Sequence, residues 1–364
     1  MKPRLKEYGR RRRAGAVSLL VDVGVEMTLE DLDGRVSALL DLLDGTRTVE
    51  EVVAALRERW SVETAEVEAA IVALAEAGLL EDAAAESRLE SREKERYASN
   101  LEFFGTFATL RHTRYAYQER LRESHVALLG VGGLGSTVLL NLAGMGVGRI
   151  TVVDSDRVEL KNLARQFLYR EHDIGASKVA SAVATARALN PELDISPVER
   201  RIEDPNDLPP VIAGTSLVIS AIDHPAEAQR WVNAACVSAG IPFVAGAFQA
   251  ARGMYGSVDP GRSGCLECPE AGREDDRPAP SVVERKVNRG IGPVATLTGS
   301  LMSLEALRYL SRFAPPVAAG KIWIIDFVTG RVDIGGEWAR STACPVCGEE
   351  AAARGRVPVS VDVA

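Results

Sequence analysis

Gly130-Val131-Gly132-Gly133-Leu134-Gly135 follows an apolar stretch and precedes a helical one. Gly130, Gly132, Gly133 and Gly135 there let backbone N–H groups and a helix N-terminus come close to phosphate oxygens. Asp154 ends the next expected strand, about twenty residues on, where a carboxylate can accept hydrogen bonds from ribose hydroxyls. Those two features specify a nucleotide but not its chemistry, and a nicotinamide-dependent dehydrogenase would share both. Downstream, Asp154-Ser155-Asp156 leads to Asn162-Leu163-Ala164-Arg165-Gln166, and Gly175-Ala176-Ser177-Lys178 opens a further helix. Asn162, Arg165 and Lys178 delivered to one sheet edge exceed the needs of a dinucleotide. They suit a triphosphate whose charge must be neutralised during transfer at the α-phosphorus. Any one of them alone reads equally well as an exposed helix charge. Asp223 follows another apolar stretch, where it can hold Mg²⁺ beside phosphate oxygens or cap a helix beginning near Pro225.

The chain has five cysteines. Cys265 and Cys268, then Cys344 and Cys347, form two CxxC pairs, and four thiolates match a closed tetrahedral structural zinc site. A redox pair is the alternative, although neither CxxC opens a thioredoxin-like unit. Cys236 stands beside Val232 on the apolar face of an expected helix and reads as a core thiol. No cysteine lies between Glu270 and Asn288.

Around these residues the expected frame is α/β. Val126–Leu129, Ile150–Val153, Leu217–Ala221 and Phe243–Ala245 read as strands, with helices at 135–145, 177–189 and 226–238 between them. That alternation calls for right-handed crossovers and a doubly wound, Rossmann-like, mostly parallel sheet. Upstream, Val17, Leu19, Val21 and Val23 alternate as a strand, and Val36, Leu39, Leu40 and Leu43 recur at helical spacing. Thr48 with Glu51 forms a capping signal, and a helix from Thr64 ends before Gly78. This is a small α+β, winged-helix-like domain over 1–82, followed by a polar linker at 83–94. The nucleotide and zinc residues fall in 95–349, and 350–364 is a tail. Glu270 to Asn288, rich in charge and proline, reads either as a mobile loop near the site or as a surface excursion.

With 364 residues, 46% hydrophobic and 26% charged, the chain can bury more than one core. A net charge of -8 gives no global footprint for nucleic acid. Arg10 to Arg13 before an apolar run superficially resembles an export signal, but Asp22 and Glu26 cut the run short. Val126 to Gly148 is uncharged, yet its glycines, Ser136, Thr137 and Asn141 favour strand, turn and helix over a membrane span. The expectation is a cytoplasmic protein with reduced cysteines, binding neither nucleic acid nor membrane.

The ordered set of glycine turn, Asp154-Ser155-Asp156, Asn162-Leu163-Ala164-Arg165-Gln166, Lys178, Asp223 and two CxxC pairs resembles the ubiquitin-activating family and its bacterial ThiF, MoeB and HesA relatives. These adenylate a peptide or protein carboxylate. Ser220-Ala221-Ile222-Asp223-His224-Pro225, Trp231-Val232-Asn233 and Gly264-Cys265-Leu266-Glu267-Cys268 look most like its microcin C maturation branch. Leu43-Asp44-Gly45-Thr46-Arg47-Thr48 and Gly78-Leu79-Leu80 resemble the winged-helix peptide clamps of peptide natural-product pathways.

The resemblance implies ATP and Mg²⁺, with Asp154, Asp156 and Gln166 in the nucleotide site and Asn162, Arg165 and Lys178 on the phosphates. It further implies Asp223 on Mg²⁺, zinc on the four cysteines, a precursor peptide bound by the N-terminal domain, and a homodimer; Thr296 to Tyr309 is apolar enough to bury one face in a core or in an interface. One segment departs from the family. Its Arg-Tyr-x-Arg-Gln pattern, whose second arginine reaches the partner subunit's ATP, is here Arg96-Tyr97-Ala98-Ser99-Asn100. Two other readings stand beside this one: a sulfur-carrier adenylyltransferase of the molybdopterin or thiamin kind, and a non-catalytic scaffold that presents a peptide.

Overall fold

The computed structural model describes residues 1–269 and 290–349, in two compact units, Met1–Glu119 and Arg120–Ala364. The stretch from Glu270 to Asn288 and the tail 350–364 lie outside the described residues.

In the first unit, after Pro3–Leu5 (β1), the strands Gly9–Arg13 (β2), Ala16–Asp22 (β3) and Val25–Glu30 (β4) form an antiparallel meander. Arg10 to Arg13 thus build an edge strand, with Arg10 and Arg12 reaching Asp41 at 2.8 and 2.6 Å. Helices Arg35–Leu42 (α1), Val49–Arg57 (α2) and Thr64–Glu76 (α3) follow. The capping signal forms: Thr48 Oγ1 accepts from Glu51 N, and Glu51 Oε2 accepts from Thr48 N. Gly78 at φ 72° turns the chain after α3, so that Leu79 and Leu80 enter the core and Leu80–Asp82 (β5) pairs with β1. Val17, Leu19, Leu40, Val52, Leu56, Ile71 and Leu74 complete that core. Ser91–Arg96 (α4) starts inside the stretch expected as linker, and Ala98–Phe107 (α5) and Arg114–Glu123 (α6) follow.

Glu81 on β5, its side chain 5% exposed, accepts from Arg4 on β1 and Arg114 on α6. Burying an ion is tolerated here because both carboxylate oxygens are occupied.

The second unit is the expected doubly wound α/β domain, with an antiparallel extension. In chain order its elements are His125–Leu129 (β6), Gly133–Met145 (α7), Arg149–Asp154 (β7), Lys178–Leu189 (α8), Asp194–Glu199 (β8), Pro209–Ile212 (α9), Leu217–Ser220 (β9), Ala228–Ala239 (α10), Phe243–Gln249 (β10), Arg252–Val258 (β11), Gly292–Ser311 (α11), Lys321–Asp326 (β12) and Arg331–Glu337 (β13). The sheet order is β13-β12-β11-β10-β9-β6-β7-β8. Strands β8, β7, β6, β9 and β10 are parallel, and β11, β12 and β13 add antiparallel. Val126 to Leu129 and Leu217 to Ile219 are wholly buried, as central parallel strands covered on both faces must be. No described helix is long and apolar enough to cross a membrane.

Candidate active site and four-thiol centre

The carboxyl ends of β6, β7 and β9 open into a cavity of about 620 Å³. Ligands collect at this edge in doubly wound sheets. The turn after β6 is shaped by crowding on one side and openness on the other. Gly130 has φ 89°, and a Cβ on Gly135 would collide with Gly130 O, so the helix can pack this close to the strand only without a side chain there. Gly132, by contrast, has nothing nearer than Gln166 Nε2 at 3.9 Å, which leaves the backbone open toward the cavity.

Asp154 fixes this turn. Its Oδ2 accepts from Val131 N at 2.9 Å and its Oδ1 from Asp156 N at 2.8 Å. Tyr169 adds a second tie by donating to Val131 O at 2.8 Å, and burial, with Asp154 adding to it, pushes its phenol well above the ordinary range. Tyr169 sits 38 positions from Val131 and was not legible as a site residue; only the folded chain joins them.

Lys178, the first residue of α8, is 7% exposed at its side chain and contacts Asp156 Oδ2 at 2.8 Å. Asn162 is buried, and its Oδ1 accepts from Glu159 N in a short 3-10 turn that carries Arg165 and Gln166 to the cavity wall. Gln166 is 3% exposed, with its Oε1 buried and unpartnered. Asp223 lies just beyond β9, exposed to the cavity, and the residue flanking α10 is Glu227, so Asp223 does not cap that helix. Gly130, Gly132, Gly133, Asp154, Asp156, Asn162, Arg165, Gln166, Lys178 and Asp223 therefore share one cavity, while Gly135 packs behind it. Lys161, Arg200, Arg201 and Gln229 line it too and were missed, because a lysine in a 3-10 turn, two arginines just past β8 and a glutamine on α10 carry no pattern that separates them from surface polar residues. The far wall, with Ala245, Ala247, Phe248, Met254 and Ile322, is mostly apolar.

Cys265, Cys268, Cys344 and Cys347 are all buried, with sulfurs within 4.8 Å of one another. Sulfur separations of 3.6, 3.9 and 3.3 Å lie near the ~3.8 Å edge of a tetrahedron whose metal–sulfur bonds are about 2.3 Å. Burial pushes the Cys265 thiol up, against opposing hydrogen bonds from the Glu267 backbone and the Asn233 amide. Four such thiols fit a divalent thiophilic cation, which would hold them all as thiolates. Cys236 is fully buried on α10, and burial alone pushes its thiol up to about 12, which keeps it protonated and inert.

Residues 104–346 match the ThiF family, and residues 31–80 match coenzyme PQQ synthesis protein D (PqqD). A molybdopterin-synthase adenylyltransferase of Salmonella typhimurium is 33% identical over 66% of this chain and 93% of its own length. The SAMP-activating enzyme E1 of Haloferax volcanii is 34% identical over 64% of this chain and 83% of its own. Among solved structures, E. coli MccB with ATP superposes at a TM-score of 0.78, with 22% identity, over 96% of this chain and 100% of that one. PaaA superposes at 0.72, with 24% identity, over 92% and 99%. These two likenesses bear on the fold, whereas the match over two thirds of the sequence bears on descent: the chain belongs to the ThiF family, and its enzyme class is adenylyltransferase.

Proposed function

We propose that this enzyme adenylates a carboxylate on a ribosomally made precursor peptide captured by its N-terminal unit. The observation that carries the reading is the pairing, in one chain, of a cavity holding Asp154, Arg165, Lys178 and Asp223 with a PqqD-like module. ATP enters with its ribose toward Asp154 and its phosphates toward the Gly132 turn, Arg165 and Lys178. The peptide carboxylate attacks the α-phosphorus, a new oxygen–phosphorus bond forms, and the bond to the β-phosphate bridging oxygen breaks to release pyrophosphate. Lys178, desolvated and held by an exposed Asp156, is placed to exchange that carboxylate for phosphate oxygens, where charge builds in the transition state. Asp223 would hold Mg²⁺, which neutralises phosphate charge when bound. No enzyme thiol takes the acyl group: burial keeps Cys236 protonated, and the other four cysteines would hold zinc in a structural role.

A homodimer fits the outward side of α11, where Leu297 and Leu304 are 51% and 38% exposed while Met302, Ala306 and Leu307 face inward. The 33% identity to a molybdopterin-synthase adenylyltransferase keeps a protein substrate with a sulfur-carrier tail as the second reading. Carboxylate-dependent exchange of pyrophosphate into ATP separates them when run with a precursor peptide and with a sulfur-carrier protein. Asp223→Ala is expected to lower that exchange on the order of a hundredfold or more while peptide binding persists. Release of ADP in place of AMP would sink the adenylation reading for either substrate.

A further inference from the structure

Asp154 and Asp223 both stand where a strand of the sheet opens into the cavity, yet only Asp154 is held. Its carboxylate accepts two backbone N–H groups, whereas that of Asp223 forms no hydrogen bond or ion pair with any described residue. The direction of Asp223 is therefore set by the backbone beside it. Before it, Ala221 N donates to Leu129 O at 2.8 Å, and a Cβ on Gly130 would stand only 2.8 Å from Ala221 O. After it, the next backbone tie is Ala228 N on Pro225 O at 3.0 Å, at the foot of α10. The carbonyl joined directly to Asp223, that of Ile222, accepts from Gln229 Nε2 at 2.7 Å across the turn between β9 and α10. Among the described residues, Gln229 is the only one whose side chain hydrogen-bonds to residues 221–224, and it lines the cavity with Asp223. The contact orients the amide, because a flipped side chain would set two acceptors against each other. Oε1 is left buried without a donor. That unmet acceptor is destabilising, and a methionine would fill the same space without it. What the amide adds over an apolar side chain is the donor to Ile222 O.

We propose that Gln229 is a positioning residue of the adenylation site, which by holding Ile222 O sets the direction in which Asp223 presents its carboxylate to the Mg²⁺ of bound ATP. The inference rests on the reading of Asp223 as the protein ligand of that ion. Mg²⁺ takes one or two carboxylates beside phosphate oxygens and demands near-ideal octahedral geometry, so a carboxylate on an untied turn serves it less well. Partners that orient metal ligands typically change metal affinity or activity by 10- to 100-fold.

Gln229→Met is the discriminating variant, since it keeps the length of the side chain and removes the donor. The test uses the full-length protein saturated with a non-hydrolysable ATP analogue, with Mn²⁺ standing in for Mg²⁺, and follows the signal of free Mn²⁺ by electron paramagnetic resonance. The variant is expected to bind Mn²⁺ about tenfold more weakly than wild type, while its affinity for the analogue without metal stays unchanged. A packing defect at the cavity wall would weaken the analogue as well, and that result counts against positioning. Affinity for Mn²⁺ within about twofold of wild type would overturn the role of Gln229. Asp223→Ala in the same titration separates this role from the reading beneath it. If Asp223→Ala weakens Mn²⁺ and Gln229→Met does not, only the role of Gln229 falls; if neither weakens it, Asp223 is not the ligand and both fall. Should Gln229→Met not fold, Gln229→Asn, whose shorter amide does not span to Ile222, takes its place with the same expected loss.

Discussion

Glu81 in the first unit and Lys178 in the second are each a buried charged side chain set against opposite charge, yet the two pairs are built differently. Glu81 is closed in from both sides by Arg4 and Arg114, and Arg114 is itself only 14% exposed. Lys178 is equally hidden at 7%, but its partner Asp156 is 61% exposed and stands at a cavity. A buried charge both of whose oxygens are held by a partner as hidden as Arg114 acts as a staple. One whose partner faces a water-filled cavity has a partner that can be replaced, and an incoming polyanion is the natural replacement. The chemistry of the pair, ammonium or guanidinium on carboxylate, is the same in both; accessibility decides which is structural and which is available for work.

The largest effect expected from breaking this contrast is on stability. Glu81→Ala leaves Arg114 with the exposed Glu102 as its remaining carboxylate and strips Arg4 of its partner, and should cost the first unit about 3 kcal/mol, read by urea unfolding. A loss under ~1 kcal/mol would mean that the pair is no staple. Next comes Lys178→Met, which keeps the apolar stem and removes the ammonium. Exchange should fall on the order of a hundredfold, about 2.7 kcal/mol in barrier, with the unfolding midpoint nearly unchanged. A large stability loss without a rate loss would reverse the assignments of the two pairs. The smallest effect is expected at Cys236→Ala, where product formation should stay near wild type at neutral pH because that thiol is protonated. Loss of a covalent peptide–enzyme intermediate in this variant would break the thiol-free mechanism.

The parts legible in the sequence were those with local causes. The glycine turn, the buried parallel strands and the Thr48–Glu51 cap each follow from residues within a few positions of one another. What escaped was set by pairing at a distance. Gly9 to Arg13 has no strand pattern at all and extends because β3 offers it an edge. Strands β11 and β13 carry Gly253, Gly256, Gly335 and Gly336 where alternation would otherwise show, and β8 carries Pro197 within its length. At the site, Asp154, Lys178 and Asp223 could be named from type and position, but the ties that aim them could not. Tyr169 on Val131, Asp156 on Lys178 and Gln229 on Ile222 exist only once the sheet has formed.

The two CxxC pairs stand 79 residues apart, with α11, β12 and β13 between them. In an unfolded chain, bringing such ends together costs about 4 kcal/mol of loop-closure entropy. The pairs are therefore strangers until the antiparallel strands have been laid against β10. Uptake of a metal ion by these four thiols would therefore mark the close of assembly: a nascent chain offers an ion two isolated dithiols, and four ligands only when the last hairpin has docked. Metal occupancy can then serve as a clock for how far folding has run.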